Sequence, residues 1–237
     1  MKICLIGQNL TNMILANVFE EKKLNVDIYF NKKIQNIKSN RTIALSSENF
    51  DYLKILTKSR IKPWKSKEIK IFTEVSQSKE IINFNKKNKE VFNLIPYSKL
   101  NEIFSKKIKK SKFIKLNHLD TSSPFILKKI KNYDLVINTE KKNFISNKFF
   151  TKKIKKDYGS KAYTFIINHK RKDNDIAIQV FTKFGPLAFL PLSNTKTSIV
   201  FSYKGGKIND EQIVDIFKKY NSFYSFTKIS KIEKLNL

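Results

Sequence analysis

The chain has 237 residues, enough for one large domain or two small ones, each with a real core. Its 13% aromatic content, with 20 Phe, excludes a disordered chain despite 29% charged residues. Forty-eight basic residues against 20 acidic ones give a net charge of +28, which raises the question of a nucleic-acid partner.

The make-up of that charge answers against it. Only Arg41, Arg60 and Arg171 are arginines, whereas base and phosphate readout favours the bidentate guanidinium. Lys, Asn, Ile and Phe, all over-used here, are the residues that AT-rich codons specify. The charge is therefore read chiefly as compositional drift, and nucleic acid is not an expected partner. A surface this basic is still drawn to anionic headgroups, so peripheral contact with an anionic membrane is expected. The single cysteine, Cys4, excludes a disulfide framework and a cysteine-ligated metal site, and fits a reducing cytoplasm. The opening MKICLIGQNL enters a strand directly, without the apolar run of a signal peptide. No segment reaches the roughly 18 apolar residues of a membrane span. A cytoplasmic location follows, with the inner membrane face as the place of any peripheral contact.

In chain order, Lys2–Ile6 reads as a buried strand, Asn12–Lys22 as a helix and Asn25–Phe30 as a second strand. That βαβ unit implies a parallel sheet. Ser46–Leu56 has helical spacing through Phe50, Leu53 and Leu56, with Ser46 or Ser47 as N-cap. Ile69–Thr73 alternates as a strand and is expected to pair with Ile81–Asn85, near Trp64. Ser98–Ile108 is helical, with Leu100, Phe104 and Ile108 on one face. Phe113–Leu116, Phe125–Ile130 and Asp134–Asn138 read as strands. From Tyr163 to Tyr203 the pattern is almost pure strand, and Asp210–Tyr220 closes as a helix.

Two histidines, His118 and His169, lie far apart without carboxylates at ligand spacing, so no metal site is expected. The chain has no G-x-S-x-G elbow, Walker loop or Cys-His pairing. The most specific stretch is Ile176–Leu192, IAIQVFTKFGPLAFLPL: alternation, a break at Gly185–Pro186, then an apolar run. Residue by residue it is a β-hairpin with Gly-Pro at its turn. Gln179, polar between apolar neighbours, needs a hydrogen-bond partner.

Set after HKRKDND, this stretch resembles the FAD-dependent aromatic hydroxylases of ubiquinone biosynthesis (UbiH/UbiF type), in which an A-x-Q-x-F strand precedes G-P-L-A-x-L-P-L. The resemblance implies a mixed α/β fold. A Rossmann-like FAD-type domain over 1–68 and 92–155 would interleave with an antiparallel β substrate domain over 69–91 and 156–237, the latter incomplete at its C-terminal end. It implies FAD as cofactor, NAD(P)H as reductant, and a polyprenylated phenol as substrate, among other ubiquinone-biosynthesis proteins. Gln179, Phe181, Gly185, Pro186, Leu187 and Phe189 would face that substrate. No catalytic acid or base is implied, because the cofactor carries the oxygen chemistry.

The cofactor motifs match unevenly. The family's G-x-G-x-x-G becomes Gly7, Gln8, Asn9, Leu10, Thr11, Asn12, with Asn9 and Asn12 where glycines stand. The acidic residue after the second strand becomes Phe30–Asn31. RTIALS, from Arg41, resembles the family's R-x-x-A-L-S, whose arginine lies close to flavin. Ser98 stands for a second arginine, and Glu140–Lys141 for an Asp-Gly pair that touches the cofactor. The Gly-Asp and H-P-x-x-G-Q-G motifs would fall beyond Leu237. Two readings stay open: an active FAD-dependent monooxygenase, or a flavin-free, inactive or truncated relative serving as a lipid-binding or scaffold subunit.

Overall fold

A computed structural model describes residues 1–31, 39–76, 79–87, 89–150, 152, 154, 156 and 158–235. The elements run β1 (Lys2–Ile6), α1 (Leu10–Glu21), β2 (Asn25–Phe30), β3 (Thr42–Ser46), α2 (Ser47–Thr57), β4 (Trp64–Ser66) and β5 (Glu68–Thr73). Next come β6 (Ile82–Asn85), β7 (Phe92–Pro96), α3 (Tyr97–Lys110), β8 (Ile114–His118), α4 (Phe125–Ile130), β9 (Leu135–Asn138) and α5 (Phe144–Phe149). The chain finishes with β10 (Ser160–His169), β11 (Ile176–Thr182), β12 (Gly185–Ser193), β13 (Lys196–Lys204), α6 (Asp210–Tyr220), β14 (Phe226–Ile229) and β15 (Glu233–Leu235).

Two compact units emerge: Met1–Lys38 with Leu53–Arg60 and Ser98–Lys156, and Ser39–Tyr52 with Ile61–Tyr97 and Asp157–Leu237. Residues 39–52, 61–68 and 92–97, which the resemblance assigned to the FAD-type domain, fall in the second unit. The reason is pairing. β3 and β4 both hydrogen-bond to β7, forming a small three-stranded sheet of that unit.

The first unit is built on a four-stranded parallel sheet in the order β8-β2-β1-β9. Parallel strands buried on both faces read as continuous apolar runs, which is why ICLI in β1 carries no alternation. Cys4 and Ile6 on one face pack against Ile126 of α4 and Ile145 of α5. α1 and α3 pack together elsewhere, the Ser105 hydroxyl donating to Met13 Sδ at 3.4 Å. The expected strand at Phe125–Ile130 is a helix instead. Its i, i+4 pair Ile126 and Ile130 turns one way onto the sheet, and Pro124 opens it, as proline does at a first helical turn. Burial and the neighbouring Asp27 raise the Cys4 thiol to about 12, marking it as structural.

The second unit is organised by one large sheet, β14-β10-β13-β12-β11-β5-β6, with β15 also on β10. β5 pairs antiparallel with β6, as the sequence predicts, and runs parallel to β11. α6 covers one face through Ile213, Phe217 and Tyr220, packed with Phe165, Phe189 and Phe201. Asn209 caps α6 in a capping box with Gln212. A buried polar knot fixes the loop before β11. Asn174 Nδ2 donates to Ser193 O, Lys196 O and Thr197 Oγ1, while Tyr224 Oη donates to Asn174 Oδ1 at 2.8 Å.

Candidate functional site

The turn between β1 and α1 stands at the carboxyl end of the parallel sheet, where ligands of such folds bind. Gly7 has φ +108, a conformation side chains rarely adopt, and its amide donates to Tyr29 O at 2.7 Å. A Cβ there would lie 2.8 Å from Glu140 Cγ, 3.1 Å from Asn9 Nδ2 and 3.2 Å from Thr139 Oγ1. Glycine is required here on both counts.

The two asparagines turn inward. Asn9 caps α1, its Oδ1 accepting from the Asn12 amide at 3.1 Å, while its Nδ2 donates to Thr139 Oγ1 at 2.6 Å. Asn12 is fully buried, and its Nδ2 donates to Ile6 O at 2.9 Å and Gly7 O at 2.7 Å. Where a third glycine would let helix and strand approach closely, this side chain ties them by hydrogen bonds. Its Oδ1 is buried without a partner.

Glu140 closes the other side. Its Cγ lies against Gly7, its Oε2 accepts from the Thr121 hydroxyl at 3.0 Å, and its carbonyl accepts from Ser146 Oγ. Gly7, Asn9, Asn12 and Glu140 are thus brought together around one turn. Asn31 is exposed just past β2, and Ser98 is half-buried in the first turn of α3. Arg41 belongs to the second unit, exposed, with its guanidinium 5.6 Å from the Tyr97 ring and its carbonyl accepting from the Tyr97 amide.

A dinucleotide fits this turn in part. The positive φ at Gly7 and the amides of Leu10 and Thr11, which precede the capped amide of Asn12, suit a pyrophosphate. Asn31 in place of a carboxylate weakens the grip on a ribose. The Glu140 carboxylate stands beside the turn and opposes an anion.

The large sheet separates the residues expected to face substrate. Gln179 pairs with Ala188 and Ile71, and Phe181 with Pro186 and Thr73. These lie on the face away from α6, with Phe181 exposed and Gln179, Pro186 and Ala188 half-buried. Leu187 and Phe189 do not join them. They pair with Val180 and Ile178, so they share the opposite face and are fully buried in the α6 core. Nor are Gly185 and Pro186 the turn: Lys183 and Phe184 are, and Gly185, at φ +124, already pairs with Thr182.

Sequence reasoning missed Asp27 and its tyrosines. Tyr133 Oη donates to Asp27 Oδ2 at 2.5 Å and meets Tyr29 Oη at 2.9 Å; burial and the carboxylate raise the Tyr133 phenol. Asp27 and Tyr29 are close on β2, but Tyr133 lies 106 residues from Asp27, too far for any spacing rule to join them. Among the described residues no cluster of three metal-type ligands occurs, and no helix is long and apolar enough to cross a membrane.

No family model matches this chain, and no curated protein matches it. Solved structures do. CtdE in complex with FAD and a substrate superposes with a TM-score of 0.71 at 13% identity, over 93% of this chain and 63% of its own. The p-nitrophenol 4-monooxygenase PnpA of Pseudomonas putida DLL-E4 gives 0.72 at 8% identity, over 98% and 66%. PqsL, a probable FAD-dependent monooxygenase from Pseudomonas aeruginosa, gives 0.62 at 10%, over 92% and 63%. The chain has the fold of FAD-dependent monooxygenases. It spans just under two thirds of these structures' length. Within the monooxygenase fold, the Gly7 turn and the open sheet face are the two features with chemistry to offer.

Proposed function

We propose that this protein is an FAD-dependent monooxygenase and, more finely, that it hydroxylates the ring of a polyprenylated phenol in ubiquinone biosynthesis. The observation that carries the reading is the positive-φ Gly7 turn, set between β1 and α1 of a parallel βαβ unit. The finer assignment is supported by the A-x-Q-x-F and GPLAFLPL wording of β11 and β12.

FAD, reduced by NAD(P)H, would supply the oxygen-transfer chemistry. The chain's own residues would bind and orient. Amides at the start of α1 would meet the pyrophosphate, and Asn31 the ribose. Ile69, Ile71, Phe181, Pro186 and Ala188 give the open sheet face an apolar surface suited to an aromatic ring and its tail. Gln179 would offer that ring's hydroxyl a hydrogen bond. The substrate would be met at the inner face of the membrane.

Purification tests this directly. The reading expects a yellow protein, or a colourless one that acquires a bound-flavin spectrum and quenched flavin fluorescence on FAD titration. A protein that stays colourless through the titration sinks it and leaves the flavin-free lipid-binding or scaffold role.

A further inference from the structure

We propose that the outer surface of the α4–α5 layer docks on an anionic lipid bilayer. The two helices lie side by side on one face of the parallel sheet and put Ile126 and Ile145 inward. Their outward sides carry Phe125, Lys128 and Lys129 on α4, and Lys148 and Phe149 on α5, with Phe150 following. All six are exposed. Neither helix contains an acidic residue.

A lysine-rich surface alone would be a solvated face, and this chain has several. The aromatic rings make the difference. Five phenylalanines are strongly exposed among the described residues, at 45–59% of their surface, and three of them are these. The ammonium groups stand beside the rings rather than away from them. Lys129 Nζ is 5.4 Å from the Phe125 centroid, and Lys148 Nζ is 5.7 Å from that of Phe149. Rings and cations at one level suit a bilayer interface, where a ring enters the acyl boundary while the ammonium stays among phosphates. A second copy of this chain would present like charge to like charge. Arg41, Arg60 and Arg171 all lie outside this layer, which removes the residue nucleic acid favours most. The inference does not depend on flavin and holds equally for a colourless protein.

The test is co-flotation of the purified chain with vesicles of pure POPC, or of three parts POPC to one part POPG. Binding is expected only to the POPG vesicles at about 150 mM salt, weakening at about 500 mM. F125S/F149S/F150S should lower the partition coefficient at least about tenfold. K109Q/K110Q/K112Q, which removes three charges from the end of α3 and the segment just after it, should change it by less than about twofold. Wild-type indifference to POPG overturns the proposal, as does binding that survives the triple serine variant. A serine variant that turns a dimer into a monomer without changing lipid binding assigns the face to a second copy, and also overturns it. Should that variant fail to fold, Phe149→Trp decides. Its fluorescence should shift blue on POPG vesicles, against the fixed background of Trp64, whose indole is bonded to Asn174 O; an unshifted spectrum refutes the docking face.

Discussion

Gly185→Ala is expected to be among the most damaging single substitutions in the second unit. Gly185 opens β12 at φ +124, and a Cβ built there would sit 2.0 Å from the backbone oxygen of Ser202 on β13. Ordinary contact begins near 3.4 Å, so the strands would have to separate by roughly 1.4 Å. No side-chain rotation relieves a clash with backbone. The left-handed conformation alone costs an L-residue about 1–2 kcal/mol, and forced separation of packed strands adds about 1–3 kcal/mol. The same movement would pull Phe184 O from the Lys204 amide, which it meets at 2.7 Å. A total of about 2–5 kcal/mol follows. Urea unfolding, followed by far-UV circular dichroism, measures it, with Gly206→Ala as control, because a Cβ at Gly206 meets nothing within 4 Å. If Gly185→Ala unfolds within about 0.5 kcal/mol of wild type, the hairpin geometry argued here is wrong.

Two further outcomes follow from the site and the core. Glu140→Gln should tighten FAD binding about five- to thirtyfold, because it removes a charge beside the pyrophosphate turn worth about 1–2 kcal/mol at near-surface dielectric; unchanged or weaker affinity in a fluorescence titration would show that Glu140 does not oppose the cofactor. Alkaline pH should destabilise the fold. Cys4 is raised from 9.0 to about 12 and Tyr224 from 10.0 to about 12, both mainly by burial, so the unfolded chain releases these protons first. Their contribution is complete below about pH 9 and is lost as pH rises towards 12. Ellman's reagent should leave Cys4 untouched in the native protein and react on unfolding, and rapid native labelling would contradict its burial.

Much of the fold was legible because it rests on local pattern. β1, β2 and α6 fall where apolar spacing and capping residues place them. The strand expected at Phe125–Ile130 became a helix because so short a segment as FILKKI does not distinguish a helical turn from a strand by its apolar positions, and contact with Cys4 and Ile6 decided it. β3 and β7 were invisible for a related reason: their partners lie about fifty residues apart, as with Ala44 and Leu94. At the site, Gly7 was readable as a turn, whereas the inward bonding of Asn12 was not. Leu187 and Phe189 part from Gln179 and Phe181 on register. Once Val180 faces the core, an antiparallel partner directly opposite must face it too.

The parallel pair between β5 and β11 joins residues 68–73 to residues 176–181. A ribosome must therefore release roughly a hundred residues after β5 before that strand finds its neighbour. During this interval the β5–β6 hairpin is a small ribbon with Ile82 and Phe84 uncovered, and even in the finished fold β6 stays at the sheet edge with both exposed. Such a nascent hairpin is a natural client for a chaperone that holds apolar edges. The yield of this protein in a cell should then depend on the pace of translation through residues 85–175 as much as on the stability of what is finally made.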